Sequence, residues 1–367
     1  MRFSSFSDEW TTSLLKDSAS FYKGTGISKE ELSEEGHPCI LYGELYTTYK
    51  TEKIKDVKSK TSLPTEKLVK SKANDVIIPA SGETPIDIAT ACCIMNDDIL
   101  LGGDLNIIRI KKHNGVFLSC QLNGKRKLDI AKIAQGASIV HLHNDDLKKL
   151  KCCYPKTLCE EEKIVAFLSK IDERISTQSK IIDKLKSQII SISNTMVKSI
   201  AKKISIEEIC DFEEKTKHQS GDGLASGTYP FFTNEEETVK FFDSYDFNGE
   251  YIIANTGGKA NFKYYNGKFA VMSDCLVIKF KSPKLTNFYS IVLSTLQKYI
   301  NYVGFEGSGL KHLNKDWLLK LQVPQYGSEA ETFIKIIDEL KEKLQKEKDI
   351  LSLYKKQKAY LLANMFI

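Results

Sequence analysis

No run of eighteen apolar residues occurs in the 367-residue chain, so no transmembrane helix is expected. The opening, MRFSSFSDEW, carries one arginine and no apolar core, so it does not read as a secretory leader. Proline never follows proline, which excludes the Asn/Asp-Pro-Pro-Tyr/Phe element of amino-methyltransferases. No Walker A loop and no Pro-Asp nuclease start occur, and GDGLASG (Gly221 to Gly227) lacks GxGxxG spacing and a preceding apolar strand. A metal site can be drawn from His141, His143, Cys152, Cys153 and Cys159, but no Cys-x-x-Cys pair frames it. The six histidines are too scattered to nominate a general base. Nine cysteines make an odd count with no even pairing pattern, which fits reduced thiols and a cytoplasmic protein. No catalytic residue, metal or resident cofactor is therefore expected.

What is present is a folded composition, 41% hydrophobic and 28% charged, in a chain long enough for two domains. The net charge of +5 is unevenly placed. From Lys50 to Lys72, eight lysines, among them Lys53, Lys55, Lys58 and Lys60, stand against three carboxylates. From Arg109 to Lys127 there are six basic residues (Arg109, Lys111, Lys112, Lys125, Arg126, Lys127) and no acidic one. From Asn255 to Lys284, six lysines including Lys259, Lys263, Lys281 and Lys284 stand against Asp274 alone. Acid is segregated to Glu30 to Glu35 and Glu235 to Glu237. Clustered base with interleaved Phe262, Tyr264 and Tyr265 suits a nucleic-acid backbone; solvated loops and lysine-protected strand edges remain the alternative.

Two segments repeat apolar residues in steps of four and three. The first runs Ile164, Leu168, Ile171, Ile175, then Ile182, Leu185, Ile189, Ile192 and Met196, with Gln178 filling a seam position. Neither glycine nor proline interrupts it from Thr157 to Lys203. The second runs Phe333, Ile337, Leu340, Leu344, Leu351, Tyr354, Leu361 and Met365, with Glu347 and Lys358 as polar interruptions. Both are coiled-coil seams, each about 50 Å long at ~1.5 Å per residue. A shift of 169 superposes them, and carries Pro155 onto Pro324 and Gln178 onto Glu347. A shift of 170 sets DLNIIRI (Asp104 to Ile110) on DCLVIKF (Asp274 to Phe280), and a shift of 175 sets DVIIPASGE (Asp75 to Glu83) on EYIIANTGG (Glu250 to Gly258). GASIVHL (Gly136 to Leu142) matches GSGLKHL (Gly307 to Leu313). The order is domain, helix, domain, helix, and two copies suit a pseudo-two-fold object better than a solenoid.

A compact domain takes in and returns the chain at nearby points, so the second helix is expected to run antiparallel to the first. The globular parts would then sit at opposite ends of a rod, able to span DNA half-sites about 34 Å or somewhat more apart. Within them, VIIPAS, DILLGG, LNIIRI, GVFLSC, EYIIAN, KFAVMS and CLVIKF read as strands, punctuated by hairpin-like Asn114-Gly115, Asn123-Gly124, Asn248-Gly249 and Asn266-Gly267. Asn287 to Tyr302 reads as helix, so each part is a mixed α/β domain. The loop Gly257 to Tyr265, with Lys259, Asn261, Lys263 and Tyr264, is a candidate reading element; base contact, phosphate contact and a plain hairpin all stay open.

GHPCILYGELYTTY (Gly36 to Tyr49), GASIVHLHNDDLKKL before Pro155, EEEKIVAFLSKIDERI (Glu160 to Ile175), GTYPFFTN with NTGGKANF, and QKAYLLANMF (Gln357 to Phe366) together resemble the specificity subunit of Type I restriction-modification systems. The resemblance covers essentially the whole chain; one departure is Glu161-Glu162, where that family often has Glu-Gln. It implies an α+β fold: target-recognition domains at 1–155 and 204–324, conserved coiled-coil helices at 156–203 and 325–367. Each domain would read half of a bipartite site in double-stranded DNA, with Lys50, Ser81, Lys215 and Lys217 joining the basic residues above as DNA-facing candidates. SGETPIDI (Ser81 to Ile88) and TGGKANFK (Thr256 to Lys263) share almost no side chains, so the half-sites should differ. The helices would dock two methyltransferase subunits, to which restriction subunits add. S-adenosylmethionine and ATP are then expected on those partners, not on this chain, and no membrane is involved. The rival reading is a coiled-coil scaffold with protein-binding heads.

Overall fold

The computed structural model describes residues 3–136, 138–235 and 240–366. The first two residues of the opening, Ala137 within GASIVHL, and Glu236 and Glu237 of the acidic run lie outside the described residues. The chain divides into two compact units: Met1–Ser179 together with Asp349–Ile367, and Lys180–Lys348. The first unit is thus discontinuous in sequence.

Its principal elements are strands β1 (Thr11–Leu14), β2 (Ala19–Lys23), β3 (Lys53–Ile54), β4 (Asp75–Pro79), β5 (Cys92–Ile94) and β6 (Leu105–Ile110), then helix α1 (Gly115–Asn123), strand β7 (Lys151–Tyr154) and helix α2 (Leu158–Ser199). One sheet has the order β2-β6-β4-β5-β3, antiparallel except for β3 beside β5, while β1 pairs with β7. Val76 and Ile78 of β4 share a core with Phe117 of α1, and Ile77 between them packs on the other face with Ile40 and Leu45. A strand covered on both faces has no polar side, which is why VIIP is continuously apolar.

The second unit contributes β8 (Lys203–Ser205), β9 (Cys210–Phe212), β10 (Tyr229–Phe232), β11 (Lys240–Phe242), β12 (Phe247–Asn255), β13 (Phe262–Val271), β14 (Cys275–Phe280), helix α3 (Pro283–Val303), β15 (Gln322–Pro324) and helix α4 (Ser328–Asn364). Its sheet runs β9-β14-β12-β13-β10-β11, with β10 parallel to β13, and β8 pairs with β15. Strand for strand this sheet repeats the five-stranded sheet of the first unit, down to its single parallel pair, with β11 added. The internal repeat is a repeat of connectivity.

Register corrects one alignment. Pro79 pairs with Leu105 and Asn255 with Cys275. The shift that carries Leu105 onto Cys275 therefore carries Pro79 onto Asn255, a shift of 176 rather than 175. A one-residue slip would exchange the faces of the strand, and the faces agree with 176: Ile78 and Ala254 both pack toward the helix, Ile77 and Ile253 both away.

Two further expectations change. GVFLSC is not a strand but α1, whose start is capped by Asn114 Oδ1, accepting the N–H groups of Val116 and Phe117 at 2.9 and 3.1 Å. Asn114-Gly115 and Asn123-Gly124 bracket that helix because asparagine caps helices as readily as it makes turns. Asn248-Gly249 and Asn266-Gly267 lie inside β12 and β13, with Gly249 opposite Gly267.

The seams are buried or half-buried along their length, Gln178, Ile182 and Leu185 among the buried positions. In the first unit Ile164, Leu168 and Ile171, at the start of α2, share a core with Leu361, Met365 and Phe366 at the end of the chain. In the second, Met196 at the end of α2 shares a core with Ala330 and Ile337 at the start of α4. Start meets end in each, so the helices are antiparallel.

Candidate nucleic-acid interface

The loops that follow β4 and β12 occupy equivalent places and are tied down alike. The N–H of Ala80 donates to the Asp104 carbonyl at 2.7 Å, and that of Thr256 to the Asp274 carbonyl at 3.0 Å. Leu142 N–H donates to the Ala80 carbonyl at 2.9 Å, and Leu313 N–H to the Thr256 carbonyl at 2.8 Å. Ser81 then lies opposite His141, and Gly257 opposite His312. Ser81 is buried, its hydroxyl donating to Asp104 Oδ2 at 2.9 Å, so it anchors its loop instead of facing outward. In the second unit Gly258 N–H reaches the Lys311 carbonyl at 2.9 Å, and Ala260 N–H reaches Asn301 Oδ1 at 3.0 Å. Both feet of this loop are fixed, which leaves Lys259 exposed at its tip and Asn261 half-buried.

Other basic candidates gather at the same end of each sheet. Lys215 and Lys217 are exposed on a segment fastened by Thr216 Oγ1 to the Val271 carbonyl at 2.7 Å and by Ser273 N–H to the His218 carbonyl at 2.8 Å. Burial, with the nearby Lys215 charge, pushes the Lys315 ammonium below its ordinary value. In the first unit exposed Lys55 follows β3 at the Asp75 end of the main sheet, whereas Lys58 and Lys60 are exposed in and beside a small sheet of Leu32–Ser33, His37–Ile40, Ser59–Thr61 and Leu100–Leu101. Thr25 N–H binds the Leu101 carbonyl at 3.0 Å and Gly24 N–H the Leu105 carbonyl at 2.9 Å, placing this sheet at the loop end of β6.

The remaining candidates go elsewhere. Arg109 lies opposite Asp75 across the sheet, and its Nε and Nη2 each donate to that buried carboxylate at 2.8 Å. Its guanidinium is committed to this pair while remaining half-buried. Arg126 is turned toward Asp129 and the Cys153 sulfur, and Lys53 Nζ donates to Ser169 Oγ on α2 at 2.9 Å. Lys111, Lys112, Lys281 and Lys284 follow the far ends of β6 and β14, about 20 Å from the loops at ~3.3 Å per residue; Lys125 is exposed in the turn after α1. Lys50 and Lys127 line a cavity of about 560 Å³ with Asp172 and Ile175 of α2 and Lys355, Lys358 and Leu362 near the end of α4. Of the loop's aromatics, Phe262 is core, Tyr265 packs on Phe232 and Phe269, and Tyr264 borders a cavity of about 620 Å³ with Ile189, Ile291 and Ile337. Lys263 Nζ donates to the Glu235 carbonyl.

Several structural pairings had only faint sequence signals. Lys358, the polar interruption of the second seam, is 14% exposed and bridges Glu52 Oε2 at 2.5 Å and Asp172 Oδ1 at 2.6 Å. Fully buried Glu161 accepts the Asn114 N–H at 2.7 Å and contacts His113 Nδ1 at 2.6 Å, so it orders the approach to α1. Cys152 and Cys153 are buried in β7, whereas Cys159 is exposed. Burial pushes the Cys39 thiol up to about 11 and those of Cys93 and Cys152 to about 12. Among the described residues no group of three or more His, Cys, Asp or Glu is placed to hold a metal ion, and no helix is long and apolar enough to cross a membrane.

Residues 200–353 match the Type I restriction modification DNA specificity domain. A putative type I specificity subunit of Mycoplasma pneumoniae is 31% identical over 171 residues, 42% of this chain; the match spans 43% of that relative's length. The crystal structure of a Type I restriction-modification S subunit from M. genitalium is similar with a TM-score of 0.59 at 18% identity, covering 98% of this chain and 96% of that one. A chain from a structural study of complex assembly and conformational transition in the type I R-M system is similar with a TM-score of 0.62 at 11% identity, covering 96% of both chains.

Proposed function

We propose, from the match of residues 200–353 to the Type I restriction modification DNA specificity domain, that this chain is a sequence-recognition subunit for DNA. Each unit is a target-recognition domain reading one half of a bipartite, asymmetric site. Helices α2 and α4 set the spacing and dock two methyltransferase subunits, to which restriction subunits add. The chain itself is not catalytic: S-adenosylmethionine and ATP are held by the partners, and the complex works in the cytoplasm.

The observation that carries this reading is one backbone frame with two different sets of side chains. The loops after β4 and β12 are fastened by the same hydrogen bonds, yet SGETPIDI and TGGKANFK present unlike groups. Direct readout needs that combination, because the frame positions the loop while side-chain identity selects the base edge. A protein-binding scaffold gives no reason for lysine to collect beside both loops.

Purification from the native cell should bring down two methyltransferase subunits per chain. Methylation mapping should show a two-part, non-palindromic target, and exchanging residues 204–324 for those of a relative with another target should change one half alone. A perfect palindrome, or a change in both halves, sinks the proposal.

A further inference from the structure

One repeated feature lies outside the reading loops. In each unit a turn begins at a glycine in the left-handed region, Gly136 with φ 135° and Gly307 with φ 132°. Gln135 and Glu306 lie opposite His141 and His312, closing the same turn. The third residue after each glycine is an aliphatic side chain in solvent, Ile139 at 59% and Leu310 at 69% exposure. Two residues later comes an exposed histidine, on the short strand paired with the reading loop. Aliphatic tip and imidazole recur 171 residues apart, although the adjoining loops share almost nothing.

We propose that these two turns are sequence-independent DNA contacts, His141 and His312 bonding backbone phosphates while Ile139 and Leu310 lie against the sugars in the adjoining groove. The proposal rests on the DNA-recognition reading above and adds a contact to it. The target's bases differ between half-sites and its phosphodiesters do not, so a group common to both units fits the common feature of the ligand. The fold does not account for the side chains: the backbone makes the pairing, and all four are exposed. Lysines stand close by in the second unit, with Lys311 adjoining His312, Lys259 on the facing loop and Lys315 close to Lys215, beside the carboxylate of Glu306 opposite His312. In the first unit Asn144 Nδ2 bonds the Tyr22 carbonyl at 3.0 Å, bringing exposed Lys23 and His143 to the same region. A protein-docking surface would call for the aliphatic tips but not for the imidazoles and lysines around them.

The test uses the full chain with fluorescent duplexes, one bearing the mapped target and one unrelated. The paired variants I139A/H141A and L310A/H312A should each weaken binding about tenfold, by the same factor on both duplexes, as expected for lost bonds to a charged backbone. Their unfolding midpoints should stay at the wild-type value, and H141Q and H312Q provide milder substitutions that keep the size of the ring. Unchanged affinity beside salt-dependent wild-type binding overturns the contact and leaves the recognition reading standing. Loss confined to the target duplex also overturns it, because the turn would then read bases. If I139E and L310E retain DNA affinity but lose the co-purifying methyltransferase, the turn is a protein surface and the proposal falls. A wild type that binds neither duplex removes the recognition reading itself.

Discussion

At the residue scale, isolated charges were the hardest groups to place from sequence. Arg109 sits in a run of six basic residues without a carboxylate nearby in the chain, and its partner Asp75 is 34 positions away. The pair forms only because β4 and β6 are neighbours. Lys358 has the same history, since its carboxylates come from a loop and from another helix. Burial opposes the Lys358 charge, but Glu52 and Asp172 hold its ammonium above the ordinary value. Replacing it by Met leaves two carboxylates facing an apolar side chain, so K358M should cost about 3–5 kcal/mol in denaturant melts at neutral pH. The sign for pH follows from the raised value: this contribution is complete below the unfolded lysine pKa near ~10.4 and is lost only as pH climbs through the higher folded value. Melts from pH 7 to 9 should therefore show a constant gap between K358M and wild type. The turn glycines give a graded comparison. A Cβ on Gly136 would lie 2.0 Å from the Ile139 carbonyl oxygen, and one on Gly307 3.0 Å from that of Leu310. G136A should lower the unfolding midpoint more than G307A, each costing on the order of 1–3 kcal/mol.

At the element scale, long periodic segments were legible and short ones were not. Heptad steps sustained over tens of residues leave one structure open to them, and α2 and α4 span both seams. GVFLSC holds too few residues to separate a buried strand from a buried helix, and all of α1 from Gly115 to Leu122 is buried, so no polar stripe marks its period. The repeat held part of the missing information, because a shift of 170 carries Gly115–Cys120 onto Leu285–Ser290, which overlaps the start of the segment read as helix from Asn287 and lies within α3. The end of α4 completes the first core, with Leu361 at 5% exposure and Phe117 stacked edge-on to Phe366 at 5.2 Å. L361A should therefore destabilise by about 2–5 kcal/mol. Hydrogen exchange should accelerate in α1 and the start of α2, and not in β12 or β14.

At the scale of the whole molecule, each unit takes in part of both long helices, and the first is closed by a segment from the far end of the chain. A fragment of residues 1–203 keeps every strand of the first sheet but lacks Leu361, Leu362, Met365 and Phe366. It should unfold without a sharp transition, and an added peptide of residues 328–366 should restore cooperative melting. A fragment that melts cooperatively without the peptide would show that the core closes without α4.

The sequence by itself determined the two helices, the order of the parts and their duplication, because each is written in local periodicity or in the likeness of one stretch to another. It also picked out the exposed Lys259, Lys215 and Lys217 near the loop after β12, since exposed charge needs no distant partner. Only tertiary structure decided the one-residue register of β4 against β12, the helical state of GVFLSC, the internal pairing of Arg109 and Lys358, and which parts of α2 and α4 close which core. Those outcomes depend on groups far apart in the chain, whose burial and pairing are fixed once the sheets and helices have come together.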